Sequence, residues 1–266
     1  MNRLISFIFW SAFSFSLNAQ VTLGPTVTTF GVLGGSTVTN TGSTVVAGNV
    51  GVSPGAAITG FPPGMASGAI HAGDATAAQA QLDLTAAYNA AAGATCPGGN
   101  VLTGVNLGGL TLTPGVYCFA TSAQLTGILT LNALGNANAQ FIFQIGSTLT
   151  TATSSSVVLI NLASASNVFW QVGSSATLGT STSFVGNILA LTSISLNNAV
   201  FLEGRALARN GAVTLIGDTI GGVGGLAGTG VPPAPAPSSL ILVTIGLVCA
   251  AAYQARERLS SLIRRI

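Results

Sequence analysis

The feature that most constrains this chain is a recurring pair, a hydroxyl residue followed by leucine. It occurs at Thr111-Leu112, Thr130-Leu131, Thr148-Leu149, Thr177-Leu178, Ser195-Leu196 and Thr214-Leu215, at intervals of 19, 18, 29, 18 and 19 residues. A fixed period of this kind marks a stack of similar units, none of which can bury its apolar side alone. A unit of about 18 residues divides into three stretches of about six, the length of an ordinary strand. The expected architecture is therefore mostly β, a three-faced β-helix. The long interval is read as one coil carrying an extra loop within residues 151–166. A second register supports the period: Ile142-Phe143-Gln144-Ile145, Phe169-Trp170-Gln171-Val172, Ile188-Leu189-Ala190-Leu191 and Ala206-Leu207-Ala208-Arg209 follow one another at 27, 19 and 18 residues.

Successive side chains of a strand point to opposite faces. Leu110, Leu129, Ala176, Ile194 and Val213 precede the hydroxyl residues; Leu112, Leu131, Leu149, Leu178, Leu196 and Leu215 follow them. These apolar neighbours point inward, so Thr111, Thr130, Thr148, Thr177, Ser195 and Thr214 point outward, as a column repeating about every 4.8 Å. Thr113, Asn132, Thr150 and Asn197, two residues further on, form a second column that Gly179 and Ile216 interrupt. Residues 74–92, DATAAQAQLDLTAAYNAAA, break the pattern. They are rich in strong helix formers, and Ala77, Ala80, Leu84, Tyr88 and Ala91 share one stripe. Asp74 suits the positive end of the helix dipole and Gly93 its stop. This helix is expected along the side of the solenoid, where small alanines allow close approach. Residues 26–61 read as short strands, with turns at Gly34-Gly35, Asn40-Thr41-Gly42 and Ser53-Pro54-Gly55.

Charge removes most function classes. Charged residues make up 5% of the chain, and lysine is absent, against about 25% in a typical domain. The net charge of +2 comes from the ends: Arg3 at one, and Arg256, Arg258, Arg264 and Arg265 at the other. The body keeps Arg205 and Arg209 against Asp74, Asp83, Glu203 and Asp218. No basic patch exists to neutralise phosphates, which excludes nucleic acid as a partner. His71 is the sole histidine; it is read as structural, and no metal or cofactor is expected. No Ser-His-acid set or phosphate loop is present, so the chain does not read as an enzyme. Glu203, Arg205, Arg209 and Asp218 are expected to form ion pairs at the solenoid end rather than a sugar-cleaving cleft. Phe143, Phe169, Trp170 and Phe184 are expected in the core.

The two ends read as addresses. Residues 1–19 have the form of a signal peptide, with Arg3, an apolar stretch at 4–17 and Leu17-Asn18-Ala19 before the cut. The body spans 20–222, followed by a Gly/Pro-rich linker at 223–237 and a C-terminal segment at 238–266. That segment has an apolar run at 238–253 and then a basic end, the pattern of a membrane anchor with a cytoplasmic terminus. It resembles the PEP-CTERM class of bacterial sorting signals, which implies a sorting protease as partner. The linker reads Val231-Pro232-Pro233-Ala234-Pro235, without the acid usual in that class, so a plain anchor is the alternative. Either way the body lies outside the cell or at its surface, and touches membrane only through this segment before any cleavage. An oxidising compartment favours a disulfide between Cys96 and Cys118. A monomer is expected.

Several stretches carry a second resemblance: FGVLGGSTVTNTGSTVVAGNVGVSPGAAITGFPPG (30–64), the Ala-rich helix, GGLTLTPGVYCF (108–119), FIFQIGSTL (141–149), VFWQVGSSATLGTSTSFVGNILA (168–190) and GRALARNGAVTL (204–215). In this order they resemble the ice-binding proteins of bacteria, diatoms and fungi, over roughly residues 23–220. The resemblance implies a discontinuous, right-handed β-helix whose N-terminal strands cap the C-terminal coils. It implies a helix along one face and an ice crystal as partner, held by a flat face of Thr, Ser and Ala. Thr41-Gly42-Ser43-Thr44 and Thr103-Gly104-Val105-Asn106 fit a Thr-Ala/Gly-X-Thr/Asn motif found in some members. The alternative function is an extracellular adhesin or matrix protein that uses the same solenoid to bind polysaccharide or copies of itself.

Overall fold

The structure, a computed structural model, describes residues 20–221. The proposed leader at 1–19 and the linker and apolar segment at 223–266 lie outside the described residues.

The described chain is a three-sided parallel β-helix with one α-helix against its side. Each coil contributes a strand to each side. The first side contains Gly115–Phe119, Phe141–Ile145, Val168–Val172 and the second halves of Ser183–Ala190 and Phe201–Ala208. The second side is a seven-stranded sheet: Ala123–Leu125, Leu149–Thr151, Ala176–Leu178, Ile194–Leu196, Val213–Ile216, Thr37–Thr41 and Ala57–Thr59. The third side contains Thr111–Leu112, Ile128–Asn132, Ser156–Ile160, the first halves of the two long strands, and Thr219–Gly221.

The stack is discontinuous in sequence. Phe30–Gly34 pairs with Phe201–Ala208, Thr37–Thr41 with Val213–Ile216, and Val45–Val46 with Thr219–Gly221, all in parallel. The N-terminal coils thus sit on the last C-terminal coil and cover its open edges, which would otherwise invite pairing with other chains. Glu203, Arg205, Arg209 and Asp218 therefore lie mid-stack, which corrects the expected cluster at the solenoid end. Arg205 donates to Asn187 Oδ1 at 3.0 Å and to the Thr28 carbonyl at 2.8 Å. Arg209 lies over the Tyr88 ring, and backbone amides hold Asp218.

Inward residues of successive coils stack to form the core. Tyr117, Phe143 and Trp170 align across the first side. Their rings are stacked, with centroids 5.6 Å and then 3.9 Å apart, and Phe184 tilts against Trp170. The buried Trp170 indole donates to the Val185 carbonyl at 2.9 Å, which satisfies the ring's one polar group. Phe169 is buried too, but on the opposite surface of its strand, beneath the helix.

The helix spans Ala75–Ala92. Asp74 is its N-cap, its carboxylate accepting from the Ala77 amide at 2.8 Å and so filling one of the first-turn donors left open. Ala77, Ala80, Leu84, Ala87, Tyr88 and Ala91 are buried against Val116, Ile142, Phe169, Leu189 and Leu207 of the first side. Gln81 donates to the carbonyls of Gly34 and Ala208, and so bridges the N-terminal cap and the C-terminal coil. Cys96 and Cys118 form a disulfide that ties the chain after the helix to strand Gly115–Phe119. His71 bonds Asp74 at 2.7 Å and packs on Phe30, a structural arrangement.

The corner between the third and first sides explains the uneven period. In the later coils one long strand runs through it, bent at Gly186 and Gly204, both at positive φ. In the two earlier coils loops at 133–140 and 161–167 replace the bend. There are thus two insertions, not the single loop expected from the 29-residue interval. The second register also slips by one residue, since Trp170 pairs with Ile188 and Phe169 with Asn187.

Candidate functional site

The first side is covered by the helix, which leaves two sides open. On the second side the strands are short, parallel and free of Asp, Glu, Lys and Arg. Their inward residues Ala123, Leu149, Ala176, Ile194, Val213 and Val38 are fully buried. The next residue of each strand faces solvent by alternation. Pairing places Gln124 beside Thr150, Thr150 beside Thr177, Thr177 beside Ser195, and Ser195 beside Thr214. The column then crosses the chain break: Thr214 pairs with Thr39, and Thr39 with Thr59. Six hydroxyl residues thus stand in one line, about 24 Å long at the spacing of stacked strands. Among the described residues, no protein group hydrogen-bonds any of these six side chains, so their full bonding capacity faces outward.

A flanking column lies two residues earlier. It runs Ser122, Thr148, Ser175, Ser193, Ala212, Thr37 and Ala57, in register with the strand starts. Here the hydroxyls are partly engaged: Ser122 and Thr148 bond each other at 2.8 Å, and Ser175 and Ser193 accept the amides of Ser193 and Ala212. Together the columns make a grid of about 4.8 Å by about 6.6 Å, two residue steps along a strand.

This placement corrects the sequence-derived column. Thr177, Ser195 and Thr214 stand in it. Thr111 and Thr130 pair with each other on the third side, where Thr130 also pairs with Val158. Thr148 points outward on the second side but one step over, in the flanking column, and Thr150 takes the place assigned to it. Of the other candidates, Thr113 lies in the turn after Thr111–Leu112, its carbonyl accepting from Tyr117. Asn132 ends a third-side strand, its Oδ1 accepting from Leu134 and Asn161. Asn197 stays on the second side, two residues beyond Ser195. The physical reason is common to all: every strand of a three-sided coil alternates, so a Thr-Leu pair marks an outward hydroxyl without saying which side carries it. The sequence reading also omitted Thr39 and Thr59, although Val38 and Ile58 flank them with the same alternation.

The corner between the second and third sides holds this face in shape. Buried Thr151 and Thr182 bond each other at 2.9 Å, and the Gly179 amide donates to Thr151. Asp218, 1% exposed, accepts from the amides of Val200 and Ile216, and its own amide donates to Thr44 Oγ1 at 3.0 Å. Burial pushes its carboxyl up to about 6, against the pull of the two backbone amides. Thr44 ends one short motif and is consumed in this joint. In the other, Thr103 accepts the Ala120 amide and Asn106 those of Gly108 and Thr126. Both motifs secure turns.

The third side is less regular. It exposes Ile128, Val158, Val45 and Met65, and carries Glu203. Among the described residues no group of three or more His, Cys, Asp or Glu could hold a metal.

Comparison with known proteins adds an independent finding. The ice-binding-like family matches residues 32–221. An ice-binding protein of Nostoc sp. (strain HG1) is 59% identical over 198 residues, covering 74% of this chain and 72% of that one. One from Colwellia sp. is 36% identical over 208 residues, covering 72% and 80%. The crystal structure of an ice-binding protein from an Antarctic biological consortium superposes with a TM-score of 0.73 at 50% identity, covering 76% of this chain and 90% of that one. That of an ice-binding protein from Antarctomyces psychrotrophicus gives 0.73 at 38%, covering 77% and 100%.

Proposed function

The chain belongs to the ice-binding-like family, and from that premise we propose that it adsorbs to ice through its second side. The observation that carries this reading is the line Thr150, Thr177, Ser195, Thr214, Thr39 and Thr59, outward and unbonded on an uncharged sheet.

Ice presents a rigid, repeating array of donors and acceptors. A protein adsorbs to it through many weak contacts, provided little freedom is lost on docking. The solenoid supplies both the repeat and the stiffness. Threonine suits the outward positions because its branched side chain has few rotamers in a strand. Its hydroxyl can donate and accept, while its methyl limits the surrounding water to fewer arrangements. Charged groups would hold water in geometries foreign to ice, and this face has none. The chain acts outside the cell or on its surface, exported by the leader at 1–19, and works as a monomer.

Inhibition of ice recrystallisation by the purified protein tests this reading. Crystals that stay small at low protein concentration support it. Crystals that coarsen as in buffer, with retention on immobilised polysaccharide, would sink it in favour of the adhesin.

A further inference from the structure

In a three-sided solenoid, the corner between two sides lies opposite the remaining side. The corner opposite the hydroxyl face is the one formed by loops 133–140 and 161–167. Each loop carries a leucine near its start, and these are the most exposed leucines of the solenoid: Leu134 is 66% exposed and Leu162 64%. Both have left-handed backbones, with φ of 54° and 68°, and Asn161 beside Leu162 has φ of 53°. A branched apolar residue is disfavoured there. Glycine or asparagine would serve the turn better, so backbone geometry does not account for leucine at either position.

The loops are firmly built. The Gly135 amide donates to the Asn161 carbonyl at 3.0 Å, Asn161 Nδ2 to Asn132 Oδ1 at 2.9 Å, and Asn167 Nδ2 to the Ala137 carbonyl at 2.9 Å. The two leucines are therefore held outward side by side, and the exposed Ile160 and Val158 extend the apolar surface onto the third side. The described chain ends at this same edge. Gly221 pairs with Glu203, the residue before the bend at Gly204, so the polypeptide leaves from this corner. At most about 60 Å of chain, the reach of the intervening residue steps, separates it from the apolar run that begins at residue 238.

We propose that this edge contacts lipid: Leu134 and Leu162 enter the interfacial zone of a bilayer, and the hydroxyl face points away from it. The proposal rests on the reading that residues 238–253 lie in that bilayer. No basic patch accompanies the leucines, so the contact is apolar and insensitive to salt. The orientation leaves the opposite face free for ice while the chain is still attached.

The test uses the exported chain, residues 20–266, in phosphatidylcholine vesicles whose acyl chains are brominated, which quench nearby tryptophan. Leu134→Trp and Leu162→Trp each place a probe on the edge, and Thr59→Trp places one on the hydroxyl face. Trp170 is common to all three. Bromination should remove most of the added emission of the two edge variants, at low and high salt, and leave that of Thr59→Trp. Equal quenching at all three positions, or none at the edge while the protein floats with the vesicles, overturns the proposal. Edge emission that shifts to the blue with rising protein concentration, without bromine quenching, assigns the edge to a second copy and overturns it too. Failure to float refutes the membrane premise and the proposal with it.

Discussion

Asp218 gives the fold a pH dependence whose sign can be worked out in advance. Its carboxyl is buried beside the joint between the N-terminal and C-terminal coils, and among the described residues no ionised side chain offsets its burial. The group titrates near 6 in the folded chain, against 3.8 when solvated. A carboxyl with a raised folded value binds its proton more tightly folded than unfolded. The associated stability is fully present below about 3.8 and is lost as pH rises through about 6. A shift of about two units corresponds to about 3 kcal/mol at most. For a body of this size that is roughly 6–12 °C in Tm. Asp74 has the opposite sign: hydrogen bonds from Ala77 and His71 hold its carboxyl below the ordinary value, so its contribution falls away only at more acid pH. The windows are therefore separable. Thermal unfolding followed by circular dichroism should show Tm falling between about pH 4 and pH 6, most steeply near pH 5, midway between the two values, and levelling by pH 7. Asp218→Asn keeps one acceptor oxygen and loses the other. It should unfold earlier at pH 4 by about 1–3 kcal/mol, the cost of an unsatisfied buried amide, and its Tm should be flat across that window. A wild-type Tm that rises with pH there, or the same slope in both proteins, would refute the reasoning.

Two further outcomes follow from the packing. Reducing the Cys96–Cys118 disulfide opens a closed loop with a sequence separation of 22; it should lower stability by about 3 kcal/mol in calorimetry and leave ice activity intact below the new Tm. Gly204→Ala should cost about 2 kcal/mol or more in urea unfolding, because the added carbon meets the Gly186 backbone at a φ that L side chains rarely adopt.

Much of this architecture was legible because the physics is periodic. The alternation around Thr177, Ser195 and Thr214 fixed which way they point, and the helix from Asp74 to Gly93 carried its cap, its stripe and its stop in its own residues. What misled was the assignment of sides. Thr111 and Thr130 repeat at a coil's length, as the real column does, yet only strand pairing shows that they stand on another side. The loops at 133–140 and 161–167 defeated simple counting, since extra residues at one corner shift the apparent phase without moving the strands. Thr39 and Thr59 carried the right alternation beside Val38 and Ile58, yet their place in the column was hidden for a different reason. They join the column through a contact between chain segments far apart in sequence, and no local period records it.

The central claim is that the ice-binding column includes both sides of that chain break. Thermal hysteresis of Thr39→Tyr, Thr177→Tyr and Thr130→Tyr tests it most directly, with circular dichroism to show that each folds. A ring raised from the flat face at Thr39 or Thr177 should abolish most of the activity. The same ring at Thr130, on the third side, should leave it near the wild-type value. Loss at Thr130 with activity kept at Thr39 and Thr177 would contradict the account and move the ice-binding surface to the third side.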